Sequence, residues 1–452
     1  MEKIIVNVIG AGLAGSEAAY QLAKFGVQVN LFEMRPAVPT GAHTTGEFAE
    51  LICSNSLGSN LPDRASGVLK NELRTLDSLL MKIADSCALP AGGALAVDRD
   101  IFSSLITETL SKHPLINVIR KEVSVIPNQP TIIASGPLTS PSLAKSISTI
   151  TNSENLFFYD AIAPIINFDS INMEVAFKGS RYQRGEDESG DYINCPFSKD
   201  EYDKFVNQLV SAQRIELKEF EEDINQGVIA GDKQYFEGCL PIEVIAGRGE
   251  KSLAFGPLRP VGIWNPHDDK KPYAVLQLRQ DNLAGTLYNM VGFQTNLRFS
   301  EQKRIFQMIP GLENATFARY GQMHRNTFIS SPKLLLPTLQ FINHKDLFFA
   351  GQITGVEGYV GNIATGLLAG INMGRLLQGK KLMELPKTTM LGALVYYITH
   401  TDTRDFQPMK ANFGILPQVS AKGKRERAKI YADIAKNSLL DYLSRINEES
   451  SL

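Results

Sequence analysis

The sequence predicts an α/β protein with a Rossmann domain of the two-dinucleotide-fold type, interrupted by an inserted α+β domain. An apolar segment at residues 4–9 leads into a glycine-rich turn and then into a helical pattern. Another apolar segment ends in glycine at residues 347–351, again before a helical pattern. Between these regions, from about residue 160, the alternation of helix and strand stops. Two similar parts that enclose a different one indicate a discontinuous domain with an insertion.

The N-terminal segment has the order that a dinucleotide-binding βαβ unit requires: strand, glycine turn, helix, strand and acidic residue. Apolar runs at 4–9 and 27–32 are the two strands, and residues 16–25 are rich in helix formers. The turn between the first strand and the helix reads Gly10-Ala11-Gly12-Leu13-Ala14-Gly15. Glu33 follows the second strand, where its carboxylate is expected to accept hydrogen bonds from an adenosine ribose.

Each glycine of this turn has a separate physical task. Gly10 allows the tight turn, Gly12 lets the backbone approach a pyrophosphate, and Gly15 lets the helix pack closely on the strand. The helix N-terminus then presents free N–H groups and a partial positive charge to the phosphates. A lone G-x-G-x-x-G motif often only closes a loop, but here its full context is present, so we expect a bound dinucleotide.

Two further glycine turns favour FAD over NAD as this dinucleotide. The buried run at residues 131–135 ends at Gly136, the second place where backbone is expected to meet the cofactor. Late in the chain, a strand ending in Gly351 and Gln352 is followed by three more glycines and a helix at 363–377. A helix N-terminus there suits the ribityl phosphate and the pyrimidine edge of a flavin. We therefore expect these three residues to hold FAD together with the N-terminal turn.

Length and composition are those of an ordinary globular protein with two domains. The chain has 452 residues, of which 43% are hydrophobic and 21% charged, and its formal net charge is −2. The loss of helix–strand alternation from about residue 160 predicts where the domains divide. The FAD-binding domain is expected at residues 1–160 and 319–452, with the inserted substrate domain at 161–318. No secretion signal and no apolar run of membrane-spanning length is visible, so we expect a cytoplasmic protein.

Local patterns predict further elements. Apolar residues at helical spacing predict one amphipathic helix over residues 68–84. Asp98 or Asp100 is expected to cap the helix that follows. The remaining predicted segments are an edge strand at 116–126, a surface helix at 198–223, a polar mobile loop at 225–234, and an antiparallel strand pair at 273–279 and 286–293.

Cys53, Cys87, Cys195 and Cys239 are scattered without metal-binding or disulfide spacing, as in reduced cytoplasmic proteins. Cys53 lies between an apolar turn and a cluster of Ser and Asn residues, and Cys239 lies between two carboxylates. From the pattern alone, each is either a small buried side chain or a reactive thiol, and burial is the commoner fate. His43 is either an exposed polar residue or part of a loop over the flavin, and the pattern favours exposure.

The C-terminal tail carries a cluster of positive charge. Residues 422–429 read KGKRERAK, a basic helical face. Such a face is either solvated or in contact with the phosphates of a nucleic acid. Where the partner is RNA, we expect Lys422, Lys424, Arg425 and Arg427 among the phosphate contacts.

Several blocks of the sequence resemble the bacterial folate- and FAD-dependent tRNA (uracil-5-)-methyltransferases. They are VNVIGAGLAGSEAAYQLA, FAELICSNSLGSN, GVLKNELRTLDS, PAGGALAVDR, YFEGCLPIEV, GPLRPVG, YAVLQLRQDN, YNMVGFQTNL, PGLENA, YGQMHRNTFI, LFFAGQITGVEGYV and ANFGIL. The blocks run through nearly the whole chain, and several are peculiar to that family rather than shared by flavoproteins at large.

The resemblance implies reductive methylation of a uridine at carbon 5 in the T-loop of tRNA. It implies 5,10-methylenetetrahydrofolate as the one-carbon donor and FAD, recharged by NADPH or NADH, as the reductant. The family's two functional cysteines fall on Cys53 in LICSNS and on Cys239 in FEGCLPIEV. Besides tRNA, the folate and the nicotinamide cofactor, we expect no membrane contact and no stable protein partner.

The implied chemistry explains the need for thiols. Carbon 5 of uracil is a poor nucleophile, and addition of a thiolate at carbon 6 turns it into an enolate that attacks a methylene electrophile. Cys239 is the candidate for this addition. Cys53 is expected near the flavin, in methylene handling or proton removal. Because the target base must leave its stack to reach the flavin, we expect a pocket with aromatic walls.

The sequence departs from the family pattern at two places. Gly361-Asn362 stands where many members carry a carboxylate after GVEGYV, and the segment from Lys218 to Tyr235 is longer than usual. One alternative is the same chemistry on a uridine of 23S rRNA. Another is wobble-uridine modification, although the relatives that perform it lack the FEGCLPIEV block. Two further alternatives are a flavin oxidoreductase acting on a small molecule and an RNA-binding scaffold that keeps FAD only for stability. In either case neither cysteine takes part in catalysis.

Overall fold

The computed structural model describes residues 4–153, 156–183, 190–215, 240–404 and 406–448. In chain order, the first elements are β1 (Ile5–Ile9), α1 (Leu13–Lys24), β2 (Gln28–Phe32), β3 (Ser56–Ser59), α2 (Ala65–Thr75), α3 (Leu79–Ser86), β4 (Ala88–Leu89), β5 (Ala94–Val97), α4 (Arg99–Ser111), β6 (Ile116–Ile119), β7 (Thr131–Ile133) and α5 (Pro141–Thr151). The middle elements are β8 (Leu156–Ala161), β9 (Ile165–Asn167), β10 (Phe177–Lys178), β11 (Tyr192–Phe197), α6 (Lys199–Ser211), α7 (Ile242–Gly247), α8 (Ser252–Phe255), β12 (Ala274–Gln280), β13 (Leu287–Met290), α9 (Phe299–Phe306) and β14 (Phe317–Arg319). The last elements are β15 (Met323–Phe328), α10 (Ser331–Leu334), β16 (Gln340–Phe341), β17 (His344–Phe349), β18 (Val356–Glu357), α11 (Tyr359–Leu377), α12 (Met390–His400), β19 (Met409–Lys410) and α13 (Lys424–Glu448).

The first sheet has six strands in the order β16-β17-β7-β1-β2-β6. The five strands from β17 to β6 are parallel, and β16 joins one edge antiparallel. Val8 and Ile132 are fully buried in its centre, as in a parallel sheet covered on both faces. The register pairs Ile9 with Ile133 and Ile133 with Phe349. The three glycine turns predicted from the sequence therefore leave the sheet side by side.

Close packing of α1 against α11 joins the two ends of the chain. An ideal Cβ on Gly366 would lie 2.2 Å from the carbonyl oxygen of Ala14, and one on Gly370 would lie 2.7 Å from that of Ala18. Only glycine permits backbones to approach this closely. The helices α1, α2, α11, α12 and α13 share one hydrophobic core, which therefore contains both the N-terminal and the C-terminal parts of the chain.

The second sheet is antiparallel, with its six strands in the order β10-β11-β12-β13-β9-β14. All of its strands lie between residues 165 and 319. One face packs on α6 in a hydrophobic core of its own, whereas the other face carries buried polar side chains, among them Gln277 and Arg279. β8 pairs with β15, so the segments that enter and leave this region run together.

The structure corrects two predicted elements. The single helix expected over residues 68–84 was wrong, because α2 and α3 are separate helices. Asp77 between them has a φ of +62°, and the Ser78 hydroxyl accepts a hydrogen bond from the Met81 N–H to cap α3. The edge strand expected at 116–126 ends early, since β6 covers only its first four residues.

Other expectations are confirmed. Asp98 caps α4, and β12 and β13 form the expected antiparallel pair. The surface helix expected at 198–223 is confirmed only in its first part, because α6 ends at Ser211 and residues 212–215 are not helical. Residues 216–223 and the loop at 225–234 lie outside the described residues. No helix in the described part of the chain is long and apolar enough to cross a membrane.

Candidate active site

A cleft opens where β1, β7 and β17 end. We call it the dinucleotide cleft. Eight of the ten residues predicted to hold the cofactor line it: Gly10, Gly12, Leu13, Ala14, Glu33, Gly136, Gly351 and Gln352. The other two, Ala11 and Gly15, are buried. The fold therefore brings together residues from three distant parts of the sequence around one cleft.

The glycines of the first turn have the geometry that their predicted tasks require. Gly10 has a φ of +97°, and a Cβ there would lie 2.6 Å from the Ala134 carbonyl oxygen. A Cβ on Gly15 would lie 1.8 Å from the Gly10 carbonyl oxygen, so α1 packs directly on the turn. A Cβ on Gly12 would meet no protein atom within 4 Å. Gly12 therefore borders open space at the start of α1, where free N–H groups suit a pyrophosphate.

Glu33 forms another wall of the dinucleotide cleft. Its Oε2 accepts a hydrogen bond from the Ala11 N–H at 3.1 Å, and its Oε1 accepts from the backbone N–H and the Nε of Arg35 at 3.0 and 2.9 Å. Burial opposes ionisation, but the hydrogen bonds and charge of Arg35 hold the pKa of Glu33 below its usual value. Each carboxylate oxygen can accept more than one hydrogen bond, so Glu33 keeps capacity for a ribose hydroxyl.

The N-terminus of α11 faces a third side of the dinucleotide cleft. Tyr359 and Asn362 in its first turn line the cleft. Among the described residues, the Oδ1 atom of Asn362 is buried without a hydrogen-bond partner. Because a buried unpaired acceptor costs roughly 1–3 kcal/mol, this atom indicates a donor on a bound group. FAD fits the polar groups of the cleft. Two helix N-termini suit its phosphates, the carboxylate of Glu33 suits a ribose, and the Asn362 oxygen suits a hydrogen-bond donor on the cofactor.

Gly361, where the sequence is expected to depart from the family pattern, is sterically restricted. A Cβ at this position would lie 2.7 Å from Cγ1 of Val356. The first turn of α11 therefore packs too closely on β18 for a larger side chain without a shift. Asn362, the next residue, is then the polar group that this turn presents to the cleft.

His43 also lines the dinucleotide cleft, which corrects the interpretation of an exposed loop residue. Its Nδ1 lies 2.7 Å from Thr40 Oγ1. Burial, followed by the charge of Arg35, lowers the pKa of His43 to about 4. His43 is therefore a neutral polar wall of the site at physiological pH. The signal in the sequence was weak, since many surface loops share the same mixture of Gly, Thr and His.

Cys53 lies beside the dinucleotide cleft, where Tyr359 holds its backbone. The Tyr359 hydroxyl oxygen accepts hydrogen bonds from the N–H groups of Cys53 and Ser54 at 2.8 and 3.1 Å. Burial and the neighbouring Cys53 raise the pKa of Tyr359, so its phenol stays protonated. Cys53 is half-buried, and Ile52 before it lines the cleft. Sequence reasoning missed Tyr359, because nothing in its local pattern points to a loop more than three hundred residues away.

A buried arginine of the second sheet holds the same loop from the other side. Arg279, which is 7% exposed, donates from Nε to Asn55 Oδ1 at 2.8 Å and from Nη2 to Ser54 Oγ at 2.5 Å. Asn55 donates in return from Nδ2 to the Gln280 carbonyl oxygen at 2.8 Å. These contacts place Cys53 at the junction of the two sheets. We call the segment from Cys53 to Asn55 the cysteine loop.

Cys239 lies outside the described residues, and its place in the site stays a prediction. α7 begins three residues later, and its Glu243 is buried. Glu243 accepts hydrogen bonds from Thr295 Oγ1 and from the Asn296 N–H at 2.9 and 2.7 Å. The residues that follow Cys239 are therefore fixed to the core beneath the second sheet.

The other two cysteines are buried. Burial raises the pKa of Cys87 to about 11 and raises that of Cys195 further. Both thiols therefore stay protonated, as structural cysteines do.

Comparisons with known proteins place the chain in a family. A sequence profile described as "Glucose inhibited division protein A" matches residues 5–381. A relative from Bacillus pumilus (strain SAFR-032) is named methylenetetrahydrofolate--tRNA-(uracil-5-)-methyltransferase TrmFO. It is 54% identical over 436 residues, which cover 96% of this chain and 97% of the relative. A relative of the same name from Bacillus subtilis (strain 168) is 54% identical over 437 residues, which cover 96% and 98%.

A solved structure confirms the fold class. The form II crystal structure of Aquifex aeolicus GidA has a TM-score of 0.70 at 16% identity, covering 99% of this chain and 73% of that one. Likeness at this identity shows the fold, whereas the two Bacillus relatives match almost end to end at more than half identity. The chain therefore belongs to the glucose inhibited division protein A family and, within it, to the group of methylenetetrahydrofolate--tRNA-(uracil-5-)-methyltransferases named TrmFO.

Proposed function

We propose that this protein transfers a one-carbon unit from 5,10-methylenetetrahydrofolate to carbon 5 of a T-loop uridine in tRNA and reduces it to a methyl group. FAD is the reductant, and NADPH or NADH reduces FAD in turn. The names of the relatives support the folate donor and the tRNA substrate. The observation in this structure that carries the proposal is the cysteine loop, which Tyr359 ties to the lining of the dinucleotide cleft.

The dinucleotide cleft is the proposed FAD site. The start of α1 at Gly12 faces the pyrophosphate, and Glu33 accepts from the adenosine ribose. Gly136, Gly351 and Gln352 line the remaining wall. When bound, FAD supplies the two electrons that convert a methylene group into a methyl group. The protein's own part is to hold the cofactor in place and to keep water from the reacting atoms.

Cys239 is the proposed nucleophile. Its thiolate forms a bond to carbon 6 of the uracil ring, which makes carbon 5 nucleophilic enough to form a bond to the methylene carbon. Removal of the carbon 5 proton, with departure of the carrier nitrogen and its bonding electron pair from the methylene carbon, leaves an exocyclic methylene group on carbon 5. Hydride addition to this methylene carbon then expels the thiolate from carbon 6 and restores the ring as 5-methyluracil.

Cys53 is proposed to act beside this thiol, in methylene handling or in removal of the carbon 5 proton. Tyr359 and Arg279 support this role because they fix the cysteine loop from two sides. A half-buried side chain beside the cleft is accessible to a substrate and partly shielded from water.

Transfer of labelled carbon from methylenetetrahydrofolate to unmodified RNA transcripts tests the proposal. We expect label in tRNA, and none when the T-loop uridine is replaced by cytidine. Label in 23S rRNA but not in tRNA would assign the same chemistry to another RNA. Oxidation of NADPH without label in either RNA would indicate a flavin oxidoreductase acting on a small molecule and would overturn the proposal.

A further inference from the structure

A second cleft lies between α13 and the segment that leads into α2. We call it the basic cleft, and its lining includes Arg64, Phe413, Lys424, Arg425, Arg427 and Tyr431. We propose that the basic cleft binds the sugar–phosphate backbone of the tRNA substrate. This inference rests on the proposed function, since it takes tRNA as the substrate.

The charge of the basic cleft is the first reason to expect that it binds a polyanion. The lining of the basic cleft contains four cationic side chains and no carboxylate, although the whole chain has a formal net charge of −2. Arg64 has an acidic neighbour, Asp63, at 3.2 Å. Both side chains of that pair are partly exposed, and surface pairs of this kind contribute little. A cleft lined by one sign of charge raises the local concentration of an oppositely charged partner.

The fold holds these cations together from two distant parts of the sequence. Arg64 directly precedes α2, whereas the other three cations lie at the start of α13. Ala435 and Leu439 anchor α13 on the hydrophobic core that also contains α2. The N-terminus of α13 lies at the same place, and Glu426 in its first turn accepts a hydrogen bond from the Lys422 N–H at 2.7 Å. Because the helices that carry these cations are packed on one core, little ordering of the backbone is needed when a phosphate arrives.

The aromatic residues of the basic cleft favour backbone contacts over base stacking. Tyr431 is only 7% exposed, and its ring stacks on Phe413 with centroids 5.1 Å apart and planes at 21°. Sites for single-stranded RNA offer open aromatic faces on which bases stack. Helical RNA is instead recognised through phosphates and 2′-hydroxyl groups. The basic cleft therefore fits a helical arm of tRNA.

The basic cleft is close to the cysteine loop along the chain. Arg64 follows Cys53 by eleven residues, which span at most about 40 Å when fully extended. Near the end of this segment the Arg64 N–H donates to the Leu61 carbonyl oxygen at 3.1 Å. This turn makes the distance between the ends shorter than that limit. An RNA arm that presents its loop at Cys53 is therefore able to reach the basic cleft with its stem.

The test compares two triple variants on the same helix. Lys424→Ala, Arg425→Ala and Arg427→Ala together remove the α13 cations of the basic cleft. Lys429→Ala, Lys436→Ala and Arg445→Ala together remove three exposed cations of α13 that are not part of the lining. Arg64→Ala removes the cation on the side of the basic cleft opposite α13. Binding of an unmodified tRNA transcript is measured over a range of salt concentrations, with FAD content and RNA-free NADPH oxidation as controls for folding.

We expect the first triple variant to reduce the slope of log affinity against log salt by about two to three units, because each lost phosphate contact lowers that slope by roughly 0.7–0.9 units. Arg64→Ala should reduce it by about one unit, and the control triple variant by less than one. FAD content and NADPH oxidation should not change. Wild-type slopes in both cleft variants, or equal losses in the two triple variants, overturn the inference.

Failure of the proposed function gives a different result. In that case tRNA binds with the expected slopes but acquires no labelled carbon. A wild-type protein that does not bind tRNA overturns both.

Discussion

The hydroxyl oxygen of Tyr359 lies 2.8 Å from the backbone nitrogen of Cys53, across 306 residues of sequence. The same oxygen accepts a second hydrogen bond from the Ser54 N–H at 3.1 Å. Because Tyr359 also lines the dinucleotide cleft, one side chain connects the proposed FAD site with a proposed functional thiol. The position of the cysteine loop therefore depends on the first turn of α11.

We expect Tyr359→Phe to keep FAD and tRNA binding but to lower the rate of methyl transfer by about tenfold or more. The change leaves two N–H groups of the cysteine loop unpaired, at a cost of roughly 1–3 kcal/mol each when buried, so the loop relaxes. Single-turnover methylation by the FAD-loaded protein measures the effect.

Tyr202→Phe is the matched control for this change. The Tyr202 hydroxyl donates to the Glu250 carbonyl oxygen and accepts from the Ala254 N–H in the region of the second sheet. Its loss should lower the unfolding temperature without a selective loss of methyl transfer. A Tyr359→Phe protein that transfers methyl groups as fast as the wild type would show that the hydroxyl has no positioning role.

Gly12→Val is expected to give a folded protein that has lost its yellow colour. A Cβ at Gly12 meets no protein atom within 4 Å but occupies the space assigned to the pyrophosphate. Gly15→Val should instead prevent folding, because its Cβ would lie 1.8 Å from the Gly10 carbonyl oxygen. Flavin absorbance per protein and circular dichroism separate the two outcomes. Normal flavin content in folded Gly12→Val would rule out this placement of FAD.

A double-mutant cycle tests the contact between the second sheet and the cysteine loop. We expect Arg279→Met and Asn55→Ala each to lower kcat/KM, and the double variant to lose less than the sum of the two. The coupling should be about 1 kcal/mol or more, as for residues that share one hydrogen-bond network. Additive effects would show that Arg279 does not act through Asn55.

His43 is expected to make stability dependent on pH. Unfolded histidine has a pKa of about 6.5, whereas the pKa of folded His43 is about 4. Between these values the unfolded chain binds more protons, so the contribution of His43 is fully present above about pH 6.5 and decreases as the pH falls towards 4. The full loss is at most about 3 kcal/mol, at 1.36 kcal/mol per pKa unit.

The unfolding temperature of FAD-free His43→Gln should therefore fall less than that of the wild type as the pH is lowered from about 6.5 to 4.5. The carboxylates Glu33 and Glu50 have lowered pKa values, so their contributions are lost only at lower pH. Burial raises the pKa of Glu17 and Glu72, but both residues are present in the two proteins and cancel in the comparison. His344→Gln, at an exposed position, is the control for replacing a histidine by glutamine. Parallel profiles for His43→Gln and the wild type would contradict the expected burial of this imidazole.

The two cysteines are expected to differ with a 5-fluorouridine-substituted transcript. Fluorine at carbon 5 cannot leave as a proton, so the wild type should be trapped as a covalent adduct. Cys239→Ala should keep FAD and bind RNA yet form no adduct, and Cys53→Ala should lose methyl transfer, with its adduct formation to be measured. An adduct in Cys239→Ala that is absent in Cys53→Ala would mean that Cys53 is the nucleophile. Denaturing gel electrophoresis of the RNA–protein complex gives the result.

The dinucleotide-binding unit was predictable because each of its parts depends on neighbours in sequence. The tight turn at Gly10 and the close packing at Gly15 are set within six residues, and the flanking strands have local apolar patterns. Local patterns also caused the error at residues 68–84. Both α2 and α3 bury apolar side chains in the same core, so their pattern continues across the left-handed residue Asp77 that separates them.

The sequence by itself determined the fold class, the family and the cysteines that resemble functional ones, because glycine turns, strand and helix periods and motif blocks are properties of short segments. Only the tertiary structure decided what surrounds them. It brought Tyr359 and Arg279 to the cysteine loop, turned His43 into the dinucleotide cleft and placed Arg64 opposite the basic start of α13. These contacts join residues far apart in the chain, and a hydrogen bond or shared cleft between such residues follows no spacing or period. Their geometry depends on how the two sheets and the helices α1, α2, α11 and α13 pack together.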